Sequence, residues 1–276
     1  AFLFHNLIGY YRVPPVIFGC HCPHRYFGAG TLHSRLHNIL YSSPLYPRLA
    51  KPVAGFHTIS AVDTRAIKKQ FPTHPVEKIS NPFDAVGYAA YAQKSRCPFF
   101  VNTERFNILW AGRLTEQKGI THLCNLIDAV NRTHGKKIDW HICGQGELSV
   151  MIAGAAAEYK NVHAHGHIGR ESMPAAYARA NLFISTSQWG ETYAYTPREA
   201  NSLGVPVVAF DISGYNEIID DGVNGRLART QSEYVKYVKW FADGNRLDSD
   251  IRKHIRTRTD AASSYKQLLQ FFDRCI

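Results

Sequence analysis

Between residues 106 and 210, short apolar runs rich in β-branched and aromatic side chains recur at 107–111, 138–143, 162–165, 182–186 and 206–210. Runs of this length read as strands, and runs that are apolar nearly throughout suit the doubly covered strands of a parallel sheet. Between them the period changes. Ile120, Leu123, Cys124, Ile127 and Val130 share one face of a helix over 120–134, residues 148–159 are rich in alanine, and 172–180 carries a short helical pattern. Strands alternating with helices predict βα units joined by crossovers, a Rossmann-like domain over 101–247.

The first hundred residues repeat the rhythm more faintly. Strands are expected at 16–20, 53–59 and 76–80 and helices at 31–41 and 62–71, which is about half of a doubly wound domain. The segment 93–104, with Pro98 and mixed polarity, is the expected linker. Residues 248–276 are expected to be helical and to pack back toward the first domain, 1–100. The first residue is Ala1 and the chain opens inside an aromatic-rich stretch, so a truncated or processed N-terminus is expected.

Composition narrows the partners. The formal charge of +10 favours an anionic partner: a phosphorylated small molecule, a nucleic acid or an anionic membrane surface. Lysine and arginine are scattered, with no basic block and no regular aromatic interleaving, which argues against nucleic acid. No apolar run approaches the roughly 20 residues of a membrane span. The six cysteines (Cys20, Cys22, Cys97, Cys124, Cys143, Cys275) are dispersed and several lie in apolar runs, which suits reduced thiols and a cytoplasmic protein, peripheral at the membrane as the variant. In Cys20-His21-Cys22-Pro23-His24 the ligand types suit a metal, but neighbours on an extended segment point to opposite faces and no second ligand pair has zinc-finger spacing.

Three stretches carry candidate chemistry. In 108–119, ILWAGRLTEQKG, a strand is followed by Gly112, Arg113 and, five residues later, Lys118. Two cations at a strand's carboxyl end can neutralise a diphosphate without a metal. In 141–146 another strand leads into a turn holding Gly144 and Gly146. In 182–225 a polar loop with Glu191 precedes Thr196-Pro197-Arg198-Glu199. That tetrapeptide has the form of a helix start, with Thr196 as N-cap, Pro197 at the first helical position and Glu199 completing a capping box. A helix N-terminus just beyond a strand is an anion site, so phosphate is the expected ligand there.

In this order the stretches resemble family 4 of the GT-B glycosyltransferases. The likeness is carried by GRLTEQKG, HICGQGEL, the E-x7-E element from Glu191 to Glu199, and GVPVVAFDISGYNEIIDDGVNGRL, and covers 107–227. It extends more weakly to AGFHTIS and KISNPFD, where Pro82 replaces a glycine. The resemblance implies an α/β fold of two Rossmann-like domains facing each other across a cleft, the first incomplete here. It implies retaining transfer of a sugar from a nucleotide diphosphate donor to a glycan, lipid-linked or small-molecule acceptor, with no metal and no cofactor. Arg113 and Lys118 would hold the diphosphate, flanked by Gly112 and Gly144. Tyr195 and Thr196 would offer N–H groups to the phosphates, Glu191 would sit beside the sugar hydroxyls, and His21 would lie near the donor sugar. Glu199 would take the ribose hydroxyls, a use that competes with its capping role. Ala194 stands where the family has glycine. A non-catalytic nucleotide-sugar-binding subunit and a basic nucleic-acid-binding protein are the alternative classes; Glu217 is either a donor-binding residue or a capping or solvated one, and Trp189 either walls the pocket or shields the loop.

Overall fold

The computed structural model describes residues 16–20 as backbone, 43, 53–99, 101–188, 190–212, 214–258 and 260–275. The helix expected at 31–41 lies outside them. The chain divides into two compact units, 1–82 with 261–276, and 83–260.

In the first unit β1 (Val16–Cys20), β2 (Val53–Thr58) and β3 (Val76–Lys78) form a parallel sheet in that order. Helix α1 (Ala61–Gln70) joins β2 to β3, and Ser60 caps it by accepting the Asp63 N–H at 3.1 Å. Its Ile67 packs with Val53, Phe56 and Phe71, and the Phe56 and Phe71 rings stack at 4.4 Å.

The second unit is built on six parallel strands in the order β6-β5-β4-β7-β8-β9. They are β4 (Phe106–Ala111), β5 (Ile138–Cys143), β6 (Val162–Gly166), β7 (Leu182–Ser185), β8 (Val207–Phe210) and β9 (Gly225–Ala228). The order reverses between β4 and β7, and ligands of open α/β sheets bind outside the carboxyl ends at such a point.

The pleat assigns side chains to two cores. Ile108, Trp110, Ile138, Trp140 and Ile142 face α3 (Ile120–His134), α4 (Ser149–Glu158) and α7 (Gln231–Ala242), whereas Leu109, Cys143 and Phe183 face the other helical layer. That layer is α2 (Ala85–Ala92), α5 (Met173–Arg179), α6 (Tyr195–Ser202) and α8 (Ile251–Arg258). Helix α3 buries Ile120, Leu123, Leu126, Ile127 and Val130 completely, each worth about 1.5–3 kcal/mol relative to exposure.

Three expectations are revised. The division falls at Pro82/Phe83, upstream of 93–104, because α2 packs on α5, α6 and α8. Its cap is Asp84, whose carboxylate accepts the Gly87 N–H at 2.8 Å. The tail over 248–276 is shared: α8 buries Ile255 in the second unit, while α9 (Ala261–Cys275) lays Phe271 and Cys275 over Gly55 in the first. Finally, α6 begins at Tyr195, so Thr196 is not its N-cap.

Candidate functional site

The carboxyl ends of β4, β5, β6 and β7 are locked together mainly through backbone. The Gly112 N–H donates to the Cys143 carbonyl at 3.0 Å, the Gly144 N–H to the Gly166 carbonyl at 2.7 Å, and the Leu114 N–H to the Gln145 carbonyl at 3.1 Å. A Cβ on Gly144 would lie 1.8 Å from the Gly112 carbonyl oxygen, and one on Gly119 1.8 Å from that of Thr186. Both glycines have positive φ, so the sequence requires glycine there for space and for backbone conformation. Two hydroxyls tie the loops further: Thr186 Oγ1 donates to the Lys118 carbonyl at 2.9 Å and Ser187 Oγ to the Gln117 carbonyl at 3.0 Å.

These loops surround a cavity of about 510 Å³ lined by Ala111, Gly112, Arg113, Cys143, Gly144, Gln145, His167, Ile168, Met173, Tyr177, Thr196 and Glu199. Five expected site residues, Gly112, Arg113, Gly144, Thr196 and Glu199, therefore line one cavity. Lys118 and Glu191 are joined to each other rather than to the cavity lining: the ammonium of Lys118, at the end of a 3-10 turn (Glu116–Lys118), donates to Glu191 Oε1. Gly214, at φ 92°, presses on the Glu191 carbonyl, 1.6 Å from where a Cβ would stand. Tyr195 has an exposed side chain that meets Tyr193 edge-on at 4.6 Å. His21 and Trp189 lie outside the described residues, and Glu217 is not on the cavity wall.

The start of α6 departs from the capping box. Ala194, φ 49° and ψ 73°, is the one non-glycine residue of positive φ among the described residues, and it turns the chain into the helix without a side-chain cap. Pro197 then falls third in the helix, within the first turn, where its missing N–H costs no intrahelical bond. The N–H groups of Tyr195 and Thr196 precede it, ahead of any that the helix's own carbonyls can accept. Arg198 is buried and pinned back: its guanidinium lies over the Tyr193 ring at 4.0 Å and Nε donates to the Tyr193 carbonyl at 3.2 Å.

Released from capping, Glu199 faces a buried polar pocket. Burial raises its carboxyl above the usual range, opposed by the Tyr177 hydroxyl and then by Arg170. Burial, followed by the Glu199 charge, holds the Tyr177 hydroxyl well above its ordinary pKa and acts in the same order on Tyr88. Burial, then Cys97, pushes the Cys143 thiol up to about 12, so it lines the cavity as an inert neutral group. Tyr177, Met173, Ile168 and His167 were not singled out from sequence. Tyr177 sits in an alanine-rich helical stretch with nothing to distinguish it from core.

The site and the sheet define a GT-B glycosyltransferase fold. A solved structure, Anabaena Alr3699/HepE in complex with UDP, superposes with a TM-score of 0.73 over 99% of this chain and 75% of that one at 19% identity. A family model for glycosyl transferases group 1 matches residues 93–258, and the chain belongs to that family. An uncharacterized 41.2 kDa protein in the cps region of Klebsiella pneumoniae is 32% identical over 154 residues, 56% of this chain and 38% of its own length. Alpha-D-kanosaminyltransferase of Streptomyces kanamyceticus is 23% identical over 216 residues, 70% of this chain and 55% of its own. The chain thus spans about half or less of these two relatives. Among the described residues no helix is long and apolar enough to cross a membrane.

Proposed function

We propose that the second unit is the donor half of a retaining, metal-independent family 4 glycosyltransferase. The single observation that carries the reading is the convergence of Arg113, Gly112, Gly144, Thr196 and Glu199 on one cavity at the switch point of the sheet. A nucleoside diphosphate sugar fits that set: ribose hydroxyls on Glu199, and the diphosphate between Arg113, Lys118 and the N–H groups that open α6. The acceptor is a glycan, a lipid-linked sugar or a small molecule.

In the proposed reaction the acceptor oxygen bonds to the anomeric carbon as the bond from that carbon to the leaving phosphate oxygen breaks. The acceptor proton passes to that same phosphate oxygen, on one face of the sugar, which gives retention. Charge gathers on the diphosphate, so Arg113, Lys118 and the α6 N–H groups supply the main stabilisation. Glu191, paired with Lys118 before the donor arrives, faces the positive charge on the sugar ring. The two cations take the part of a divalent metal.

Titration calorimetry with UDP and GDP tests this. Binding persists unchanged in EDTA, and Arg113→Ala weakens it by about 1.5–3 kcal/mol while the melting temperature holds, the range for a charge-assisted hydrogen bond. A Mg²⁺ or Mn²⁺ requirement, or wild-type affinity in the variant, overturns the assignment. The anomeric configuration of a transfer product, read by proton NMR, decides retention.

A further inference from the structure

Tyr177 is fully buried between α6 and the sheet, its ring against Phe183 at 5.3 Å. Nothing in that apolar setting requires a hydroxyl. Phenylalanine would fill the same space without the cost of burying an oxygen, about 1–3 kcal/mol when it lacks a partner. The Tyr177 hydroxyl makes no hydrogen bond of ordinary geometry, and of the polar groups that act on it the Glu199 carboxylate leads, ahead of Tyr88 and Cys143. Both residues line the same cavity, one from α5 and one from α6.

We propose that Tyr177 is a positioning residue for donor recognition: its hydroxyl donates to one oxygen of Glu199 and holds the carboxylate turned toward the vicinal hydroxyls of the nucleoside ribose. This rests on the reading of Glu199 as the ribose acceptor. The acceptor count closes, since a carboxylate offers about four lone-pair sites, of which the diol uses two and Tyr177 one. Tyr177 also favours the ionised form of Glu199. Burial works against the charged carboxylate, and the Tyr177 hydroxyl is the leading influence in the opposite direction, ahead of Arg170. Arg170 is exposed and screened by solvent, so it cannot replace a buried donor. Tyr88, from α2, lies close enough to feel the Glu199 charge, Cys143 acts on Tyr177, and Arg113 and His167 line the same cavity.

The test compares Tyr177→Phe with wild type in calorimetry, using UDP and GDP and their 2′,3′-dideoxy counterparts from pH 5 to 9. The wild type prefers the ribo form. In Tyr177→Phe that preference shrinks by roughly three- to tenfold, the net scale of one ordinary hydrogen bond, while affinity for the dideoxy form is unchanged. Affinity for the ribo form is lost at a higher pH than in wild type, because the carboxylate takes up its proton sooner without the donor. A purely structural Tyr177 would weaken ribo and dideoxy forms equally and leave the pH profile in place, and either result overturns the proposal. Absence of ribo preference in the wild type instead removes the ribose role of Glu199, and the Tyr177 role with it. Should Tyr177→Phe fail to fold, 3-fluorotyrosine at 177, a stronger donor of nearly the same shape, moves the pH profile down; an unmoved profile refutes the proposal.

Discussion

The ion pair between Lys118 and Glu191 sets up a prediction with an unusual sign. In the donor-free protein the Lys118 ammonium is bound by the Glu191 carboxylate, with the side chains 31% and 16% exposed. A diphosphate arriving at Lys118 must compete with that carboxylate. Glu191→Gln removes the competing charge, keeps the shape and leaves Lys118 available, so affinity for the free nucleoside diphosphate rises. Exposed pairs contribute about 0.2–1 kcal/mol, and the partial burial here places this one near 0.5–1.5 kcal/mol, roughly a two- to tenfold tighter Kd. Calorimetry with UDP and GDP measures it, and the gain shrinks with added salt as screening weakens the pair in the wild type. Sugar transfer moves the other way, since Glu191 is the group assigned to the sugar. Lys118→Ala loses affinity and cancels the effect of Glu191→Gln in the double variant. Unchanged or weaker diphosphate binding in Glu191→Gln refutes the view that Lys118 is held in reserve for the phosphates.

Four further outcomes are expected. Glu199→Gln lowers nucleotide affinity with little change in melting temperature, because no capping box depends on it; intact affinity with stability lost only in Glu199→Ala would return the residue to a structural role. Since the folded-state pKa of Glu199 is raised by burial, nucleotide affinity falls with decreasing pH before an ordinary glutamate would titrate, while the stability contribution of the neutral form is present at low pH and fades as pH rises through the raised value. His141 is lowered to about 3 by burial, then by His165 and His163, and His165 to about 4 by burial, then by His163. The unfolded chain therefore takes up protons that the folded one refuses, and stability declines from about pH 6.5 toward pH 4; urea unfolding at pH 7 and 5 shows it, and a flat profile contradicts it. Gly214→Ala lowers the unfolding free energy by about 2 kcal/mol or more, because a methyl group at φ 92° would strike the Glu191 carbonyl; an unchanged melting temperature would mean that the loop yields freely.

Five of the six strands of the second unit were legible as short β-rich runs, and α3 as a stripe of buried side chains, whereas β9, the short run GRLA, was not expected. Polar residues fall inside β4, β5 and β6. Asp139 and His141 fall on the face where the linker, not a helix, covers the sheet edge: His141 reaches Asn107 Oδ1 at 3.0 Å and His165 at 2.9 Å, and Phe99 stacks on His165 at 3.7 Å. Local spelling misled at α6. Thr-x-x-Glu occurs at 196–199 and again at 230–233, and only the second caps a helix, with Thr230 accepting the Glu233 N–H at 3.1 Å. At the first, Ala194 enters the left-handed region, buried in the core, and the helix opens at Tyr195, one residue before Thr196. Helix α2 escaped notice because a run such as AVGYAAYA has no polar face to give it a period.

Helix α2 bears on how the protein is divided for experiments. The family match opens at residue 93, immediately past the end of α2, and the sequence-derived linker lies in the same place. A fragment cut at either boundary would discard Ala85 and Ala92 from the core they share with Ala200, Leu203 and Ile255. It would strip the support from beneath α6, the helix that carries Thr196 and Glu199. Weak nucleotide binding by such a piece would report the missing helix rather than the chemistry of the cavity, whereas a fragment opening at Phe83 keeps both.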